Sequence, residues 1–148
     1  MTGRSIAVCA ALLATVGCAR RVGTSPASVA GQYDMTGFDG RRNLPCCSQT
    51  DSSGTVVTLT GGLLEMGWNV PNGTYRWDVV RESKYPNGTY RNVESHFSAG
   101  TYKWDGRTLT LADSAGLARM TGVVNGGIVT VRRENHEYEF RMLPQLPR

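Results

Sequence analysis

The stretch "TYKWDGRTLTLADSAGLARMTGVVNGGIVTVRRENHEYEFRM", residues 101–142, alternates apolar and polar residues with a period of two. The alternation is clearest near its end, where His136, Tyr138 and Phe140 point one way and the charged residues between them point the other. A period of two is that of a β-strand with one face on a core. The stretch therefore predicts antiparallel sheet.

Glycine-containing pairs separate these strand-like runs. Asn-Gly and Asp-Gly favour tight hairpins because both residues adopt positive φ at low cost. The pairs are Asp39-Gly40, Gly61-Gly62, Asn72-Gly73, Asn87-Gly88, Asp105-Gly106 and Asn125-Gly126. The predicted strands lie near Gln32–Phe38, Thr55–Thr60, Gly62–Asn69, Thr74–Glu82, Thr89–Phe97, Thr101–Trp104, Thr108–Ala112, Ala118–Val124, Ile128–Arg133 and Glu137–Met142.

Consecutive strands joined by short turns make a meander, and a long meander must close or leave open edges. Residues after Ala30 show no sustained helical period. We therefore predict an all-β fold, an antiparallel meander that closes into a small β-barrel of about eight to ten strands. The barrel spans residues 31–143, and residues 144–148 form a C-terminal tail.

The N-terminus reads as an export signal. Arg4 gives a positive start, and the apolar run Ile6–Val16 is too short to span a bilayer but suits a signal peptide. The run stops at Gly17-Cys18, which resembles the lipobox of bacterial lipoproteins, where small residues precede a cysteine that becomes lipidated. The resemblance implies a signal peptide at residues 1–17, a lipid on Cys18 and a lipidated tether at residues 18–30. Ordinary cleavage nearby, giving a soluble exported product, is the alternative.

The lipobox resemblance also implies a place for the protein. The chain would sit in the bacterial cell envelope, anchored in the lipid bilayer through Cys18. Ala19 after the cysteine implies no inner-membrane retention, so the outer membrane is favoured, with the domain facing the periplasm. The net charge of +4 comes from fourteen Arg and two Lys spread along the chain. We interpret these arginines as a solvated surface, and no nucleic-acid partner is predicted.

The domain itself is similar to small lipocalin-like domains of bacterial exported proteins. The similarity covers residues 31–142 and rests on turn and packing motifs: Gly31-Gln32-Tyr33, the segments Gly40–Pro45 and Gly100–Leu111, and the closing Tyr138–Arg141. It implies a closed barrel with room for a ligand cavity. It also implies that Tyr33 packs against Arg141, as the first-strand aromatic does in lipocalins.

Aromatic residues are the main candidates for a ligand site. They either fill a small barrel core or line an apolar cavity with polar tips. The candidate lining residues are Tyr33, Trp68, Tyr75, Trp77, Tyr102, Trp104, Tyr138 and Phe140.

Cys46 and Cys47 are adjacent in the loop predicted after the first strand, and export makes oxidation the expected state, in a disulfide with each other or between two chains. A redox or soft-metal role is the alternative, but neither His96 nor His136 stands at ligand spacing from them, so no metal and no cofactor are predicted. The chain has no Gly-x-Ser-x-Gly or His-Glu-x-x-His motif. We therefore expect a non-enzymatic protein.

Three functions remain open at this point. The first is an envelope lipoprotein whose barrel binds a small apolar ligand. The second is a structural or protein-interaction scaffold of the envelope with a fully packed barrel. The third is a thiol or metal site at Cys46 and Cys47.

Overall fold

The computed structural model of the protein describes residues 28–67, 73–116 and 119–144. Within these ranges the chain forms nine strands and no helix. The strands are β1 (Gly31–Phe38), β2 (Cys46–Thr50), β3 (Val56–Met66), β4 (Thr74–Lys84), β5 (Tyr90–Trp104), β6 (Thr108–Asp113), β7 (Arg119–Asn125), β8 (Ile128–Arg133) and β9 (His136–Met142). Every pairing between them is antiparallel, as the alternation of the sequence predicts.

The sheet closes on itself through β1, which pairs with β9 on one side and with β3 on the other. Tyr33 marks the closure, since it stands opposite Met142 of β9 and Leu64 of β3. The closed ring consists of β1 together with the seven strands from β3 to β9. Strand β2 lies outside the ring and pairs only with the first part of β3. The prediction of an antiparallel meander that closes into a small barrel is confirmed.

The two ends of the barrel differ. At one end, here called the mouth, β1 ends, β3 begins and the β8–β9 hairpin turns. At the opposite end Val29 is 4% exposed, and its carbonyl accepts a 2.8 Å hydrogen bond from the Tyr33 hydroxyl. Val29 therefore covers this end of the barrel.

Inward-facing side chains fill the middle of the barrel. The Trp77 ring is fully buried, 4.7 Å between centroids from both Phe97 and Tyr138 and 5.2 Å from Phe140. Burial of such large apolar side chains is the main force that stabilises a domain of this size. The aliphatic part of the core includes Leu64, Met66, Leu109, Leu111, Met120, Val129 and Val131.

Two breaks predicted between strands are wrong. Gly61-Gly62 lies inside β3, and Gly100 lies inside β5, so each of these strands replaces two predicted ones. A Cβ on Gly62 would lie 2.8 Å from the Asp78 carbonyl oxygen, and a Cβ on Gly100 would collide with the Ala112 carbonyl. Both glycines allow a neighbouring backbone or side chain to approach closely, and neither turns the chain.

The short strand β2 is also absent from the sequence prediction, which expects a loop there. It pairs with β3, with Gln49 opposite Val57 and Thr50 opposite Val56. Only Cys46 in β2 is buried, because the strand lies outside the closed ring. Its polar composition therefore gives no alternation that sequence reasoning could detect.

The contact between Tyr33 and Arg141 implied by the lipocalin resemblance is wrong. Tyr33 is fully buried in the barrel, whereas Arg141 is exposed and stands opposite Asp34 of β1. Tyr33 and Asp34 are consecutive residues of a strand, so their side chains point to opposite faces of the sheet.

Candidate ligand site at the barrel mouth

A half-open cavity of about 350 Å³ lies at the mouth of the barrel. Its apolar lining side chains come from five strands and are Phe38, Val57, Leu59, Val79, Phe97 and Tyr138. Polar and sulfur-containing side chains complete the lining, namely Cys47, Gln49, Arg81, Arg133, Glu134 and His136. Leu59, Val79 and Tyr138 are buried, whereas Gln49, Glu134 and His136 are exposed. The cavity therefore has an apolar floor and a polar rim.

Strand periodicity places two arginines in this cavity. In β4 the inward positions that hold Trp77 and Val79 continue to Arg81, and in β8 the inward position after Val131 is Arg133. Both arginines are half-buried. The interpretation of the arginines as a solvated surface is therefore wrong for these two. The signal was present in the sequence, because each arginine extends a period-two row of buried residues.

Arg133 is held in place by Phe97 of β5. Its guanidinium carbon lies 4.4 Å from the Phe97 ring centroid, and Nη1 donates a 3.4 Å hydrogen bond to the Phe97 carbonyl oxygen. Such stacking is a favourable cation–π contact. Burial raises the pKa of the Tyr138 phenol, and the positive charges of Arg133 and Arg81 oppose that rise. The phenol at the cavity floor thus lies within the field of both guanidinium groups.

His136 and Asp39 form the rim between the β8–β9 hairpin and the end of β1. His136 Nδ1 lies 2.7 Å from Asp39 Oδ2, and the Glu137 backbone N–H donates to Asp39 Oδ1 at 2.8 Å. Burial raises the pKa of the Asp39 carboxyl, but these two hydrogen bonds lower it, and the net effect is a lowered pKa. The His136 ring also stacks on Phe38, with centroids 5.1 Å apart. His136 points the same way as Tyr138 but is exposed, so it shapes the rim and does not belong to the core.

The eight aromatic residues predicted to line a cavity are divided by the structure. Tyr138 lines the mouth cavity, and Trp68 lies outside the described residues. Four of the others are buried in the core, namely Tyr33, Tyr75, Trp77 and Phe140. The remaining two, Tyr102 and Trp104, are half-buried against it. Among the described aromatics the cavity also takes Phe38 and Phe97, which were not predicted to line it.

The structure joins Cys46 and Cys47 in a disulfide at the edge of the mouth. Cys46 is buried in the core, whereas Cys47 has a positive φ of 63° and lines the cavity. Within the described ranges no three His, Cys, Asp or Glu side chains are grouped to hold a metal ion. The disulfide itself stays a prediction for the exported protein. Peptide mapping without reductant tests it, with the paired form expected to be two hydrogens lighter than the dithiol.

The predicted signal peptide, Cys18 and most of the tether lie outside the described residues. In the described part of the chain no helix is long and apolar enough to cross a bilayer. No protein-family model, curated protein or solved structure matches this chain. Fold and site together define its class: a small closed antiparallel β-barrel with a cavity at its mouth.

Proposed function

We propose that the protein is an envelope lipoprotein whose barrel binds a small, largely apolar ligand at the mouth. The observation that carries this proposal is the cavity of about 350 Å³ with an apolar floor. Small-molecule sites are usually preformed clefts of roughly 300–1,000 Å³ with mostly apolar walls and a few polar groups. The volume and the apolar floor with Val79, Phe97 and Tyr138 fit that description, whereas half of the lining side chains are polar or contain sulfur.

The apolar floor supplies the driving force for binding. Each methylene that leaves water for this floor contributes about 0.8 kcal/mol. The floor residues are held by the packed core beneath them, since Trp77 contacts both Phe97 and Tyr138. A preformed floor of this kind lowers the ordering cost of binding.

Native mass spectrometry of the full chain, with lipid extraction of the purified protein, tests ligand binding. We expect a bound small molecule after gentle purification, and a higher melting temperature when single-chain lipophilic compounds are added. Loss of the thermal shift on substituting Phe97→Asp, but not Val123→Asp on the exposed surface of β7, would place the site at the mouth. A protein that retains nothing and shows no shift with any such compound would contradict the proposal.

The anchoring part of the proposal rests on the sequence around Cys18. A Cys18→Ser variant is expected to lose incorporation of labelled palmitate and to leave the membrane fraction. The matched control is Cys9→Ser, within the apolar run that the proposal removes with the signal peptide. Equal palmitate incorporation in the Cys18→Ser variant and the parent protein would overturn this assignment. Fractionation of the envelope then tests placement in the outer membrane, facing the periplasm.

The structure also favours a second candidate, a protein-interaction scaffold. The β4–β5 hairpin turns at the mouth end of the barrel, and Tyr85, Tyr90 and Val93 on it are exposed. Pairing of β5 with β6 covers only Gly100–Trp104, so within the described residues the first part of β5 has no second partner strand. Such an edge can accept a strand from another protein. Photo-cross-linking from position 90 in cells should then capture one defined partner, and capture of none would dismiss the scaffold.

A further inference from the structure

Two positively charged side chains at the mouth, Arg81 and Arg133, form no close ion pair within the described residues. In the part of the chain that the structure describes, neither Arg81 nor Arg133 forms an ion pair with a carboxylate. Glu134 lines the cavity at the exposed turn of the β8–β9 hairpin. Hydrogen bonds, and to a smaller extent the charge of Arg133, lower the pKa of the Asp113 carboxyl. These two carboxylates offset part of the positive charge without forming an ion pair with either arginine. A half-buried guanidinium that lacks a close ion pair gains charge-assisted hydrogen bonds from an anionic partner. An anion that enters the mouth would be such a partner.

The two arginines are carried by strands on opposite sides of the barrel. Around the closed ring, β4 and β8 are separated by three strands in one direction, and by β3, β1 and β9 in the other. The Arg133 side chain reaches Phe97 of β5, the strand next to β4, so both guanidinium groups line the same cavity. Arg133 is already ordered by its contacts with Phe97, so its fork of donors is fixed before a ligand binds.

We infer that the ligand is a single-chain amphiphile with an anionic head, a carboxylate or a phosphate monoester. Its chain lies on the floor formed by Leu59, Val79 and Tyr138, and its head lies between Arg81 and Arg133. Guanidinium groups bind carboxylate and phosphate oxygens with paired, charge-assisted hydrogen bonds. This inference rests on the proposed function, because it names the class of ligand that the same cavity takes.

Isothermal titration calorimetry of the full chain with four probes tests the inference. The probes are dodecanoate, dodecyl phosphate, the neutral dodecanol and acetate, which offers an anionic head without a chain. Hydrogen bonds to charged groups are worth about 1.5–3 kcal/mol, so we expect the two anionic amphiphiles to bind about ten- to a hundred-fold tighter than dodecanol. Acetate should bind far more weakly than dodecanoate, since it lacks the chain.

Charge-removing variants locate the head group. Arg81→Gln and Arg133→Gln should each lower the ratio of dodecanoate affinity to dodecanol affinity about ten-fold or more. Arg132→Gln is the matched control, because Arg132 precedes Arg133 in β8 but faces solvent and pairs with Glu137. Its preference should stay unchanged. The comparison of probes on the parent protein and on the Arg81 variant keeps the test decisive if loss of Arg133 prevents folding.

The outcomes separate this inference from the proposed function. Dodecanol that binds as tightly as dodecanoate, or a preference that survives in Arg81→Gln and Arg133→Gln alike, overturns the anionic head and leaves the cavity as an apolar site. Absence of binding by every amphiphile overturns the proposed function, and the inference with it. A preference for dodecyl phosphate over dodecanoate would identify phosphate monoesters as the class.

Discussion

Replacement of Trp77 by alanine should destabilise the barrel more than any other single truncation of a tryptophan that the structure describes. Trp77 is fully buried, and its ring contacts Phe97, Tyr138 and Phe140. Truncation of a buried tryptophan costs about 3–5 kcal/mol through lost transfer energy and the cavity left behind. The free energy of unfolding of a whole domain is only about 5–15 kcal/mol. Trp77→Ala should therefore remove a fifth or more of the stability.

One feature of the native ring reduces this cost. Trp77 Nε1 is buried and has no hydrogen-bond partner among the described residues. A buried donor left unpaired costs about 1–3 kcal/mol, and both Trp77→Ala and Trp77→Phe remove it. We therefore expect about 3 kcal/mol of net loss for Trp77→Ala. Trp77→Phe keeps most of the aromatic contacts, so its net loss should stay below about 2 kcal/mol.

Urea unfolding followed by far-UV circular dichroism measures these differences, provided that the m-value stays constant. Trp104→Ala is the matched control, since the Trp104 ring is half-buried against the core. It should cost less than half as much as Trp77→Ala. Equal losses for the two alanine variants, or a loss below about 1 kcal/mol for Trp77→Ala, would refute the packing described for the barrel centre.

Two further predictions concern Gly100 in β5 and Tyr33 in β1. Gly100→Ala should lower the free energy of unfolding by about 1–3 kcal/mol or more, because its Cβ would collide with the Ala112 carbonyl. Gly61→Ala is the matched control and should be nearly neutral, since a Cβ there meets nothing within 4 Å. Equal urea midpoints for the two variants would contradict the register of β5 and β6. Burial, with a smaller contribution from Tyr102, raises the pKa of Tyr33 to about 12. The unfolded chain therefore loses this proton first, so stability is fully present below pH 10, the ordinary tyrosine pKa, and is lost as the pH rises toward 12. Tyr33→Phe should flatten that decline in pH-dependent urea titrations, and an unchanged slope would show that Tyr33 is not buried.

The strands could be predicted from the sequence because an antiparallel sheet with one face on a core has alternating apolar and polar residues along each strand. The structural roles of Gly62 and Gly100 could not be predicted from this alternation. A glycine that turns the chain and a glycine that admits a neighbouring strand look identical locally. The distinction depends on Asp78 for Gly62 and on Ala112 for Gly100, and each of these residues belongs to the neighbouring strand.

The site was harder to predict than the fold for a related reason. Every inward position of a barrel strand looks alike in sequence, but only the layer at the mouth faces the cavity. Trp77 and Tyr138 both lie on inward rows, yet Trp77 is core and Tyr138 lines the cavity. The two arginines at positions 81 and 133 carried a usable signal, since each continues an apolar row into the polar rim. That signal acquires meaning only when the rows are known to end at the same mouth.

Ligand binding at the mouth of the barrel is the central proposal. Amide chemical shifts of the isotopically labelled full chain, followed during titration with dodecanoate, test it directly. We predict saturable shifts centred on Val79, Phe97, Arg133 and Tyr138, with little change near Val29 at the opposite end. Shifts spread evenly over the barrel, centred on Val29, or absent at saturating dodecanoate would contradict it.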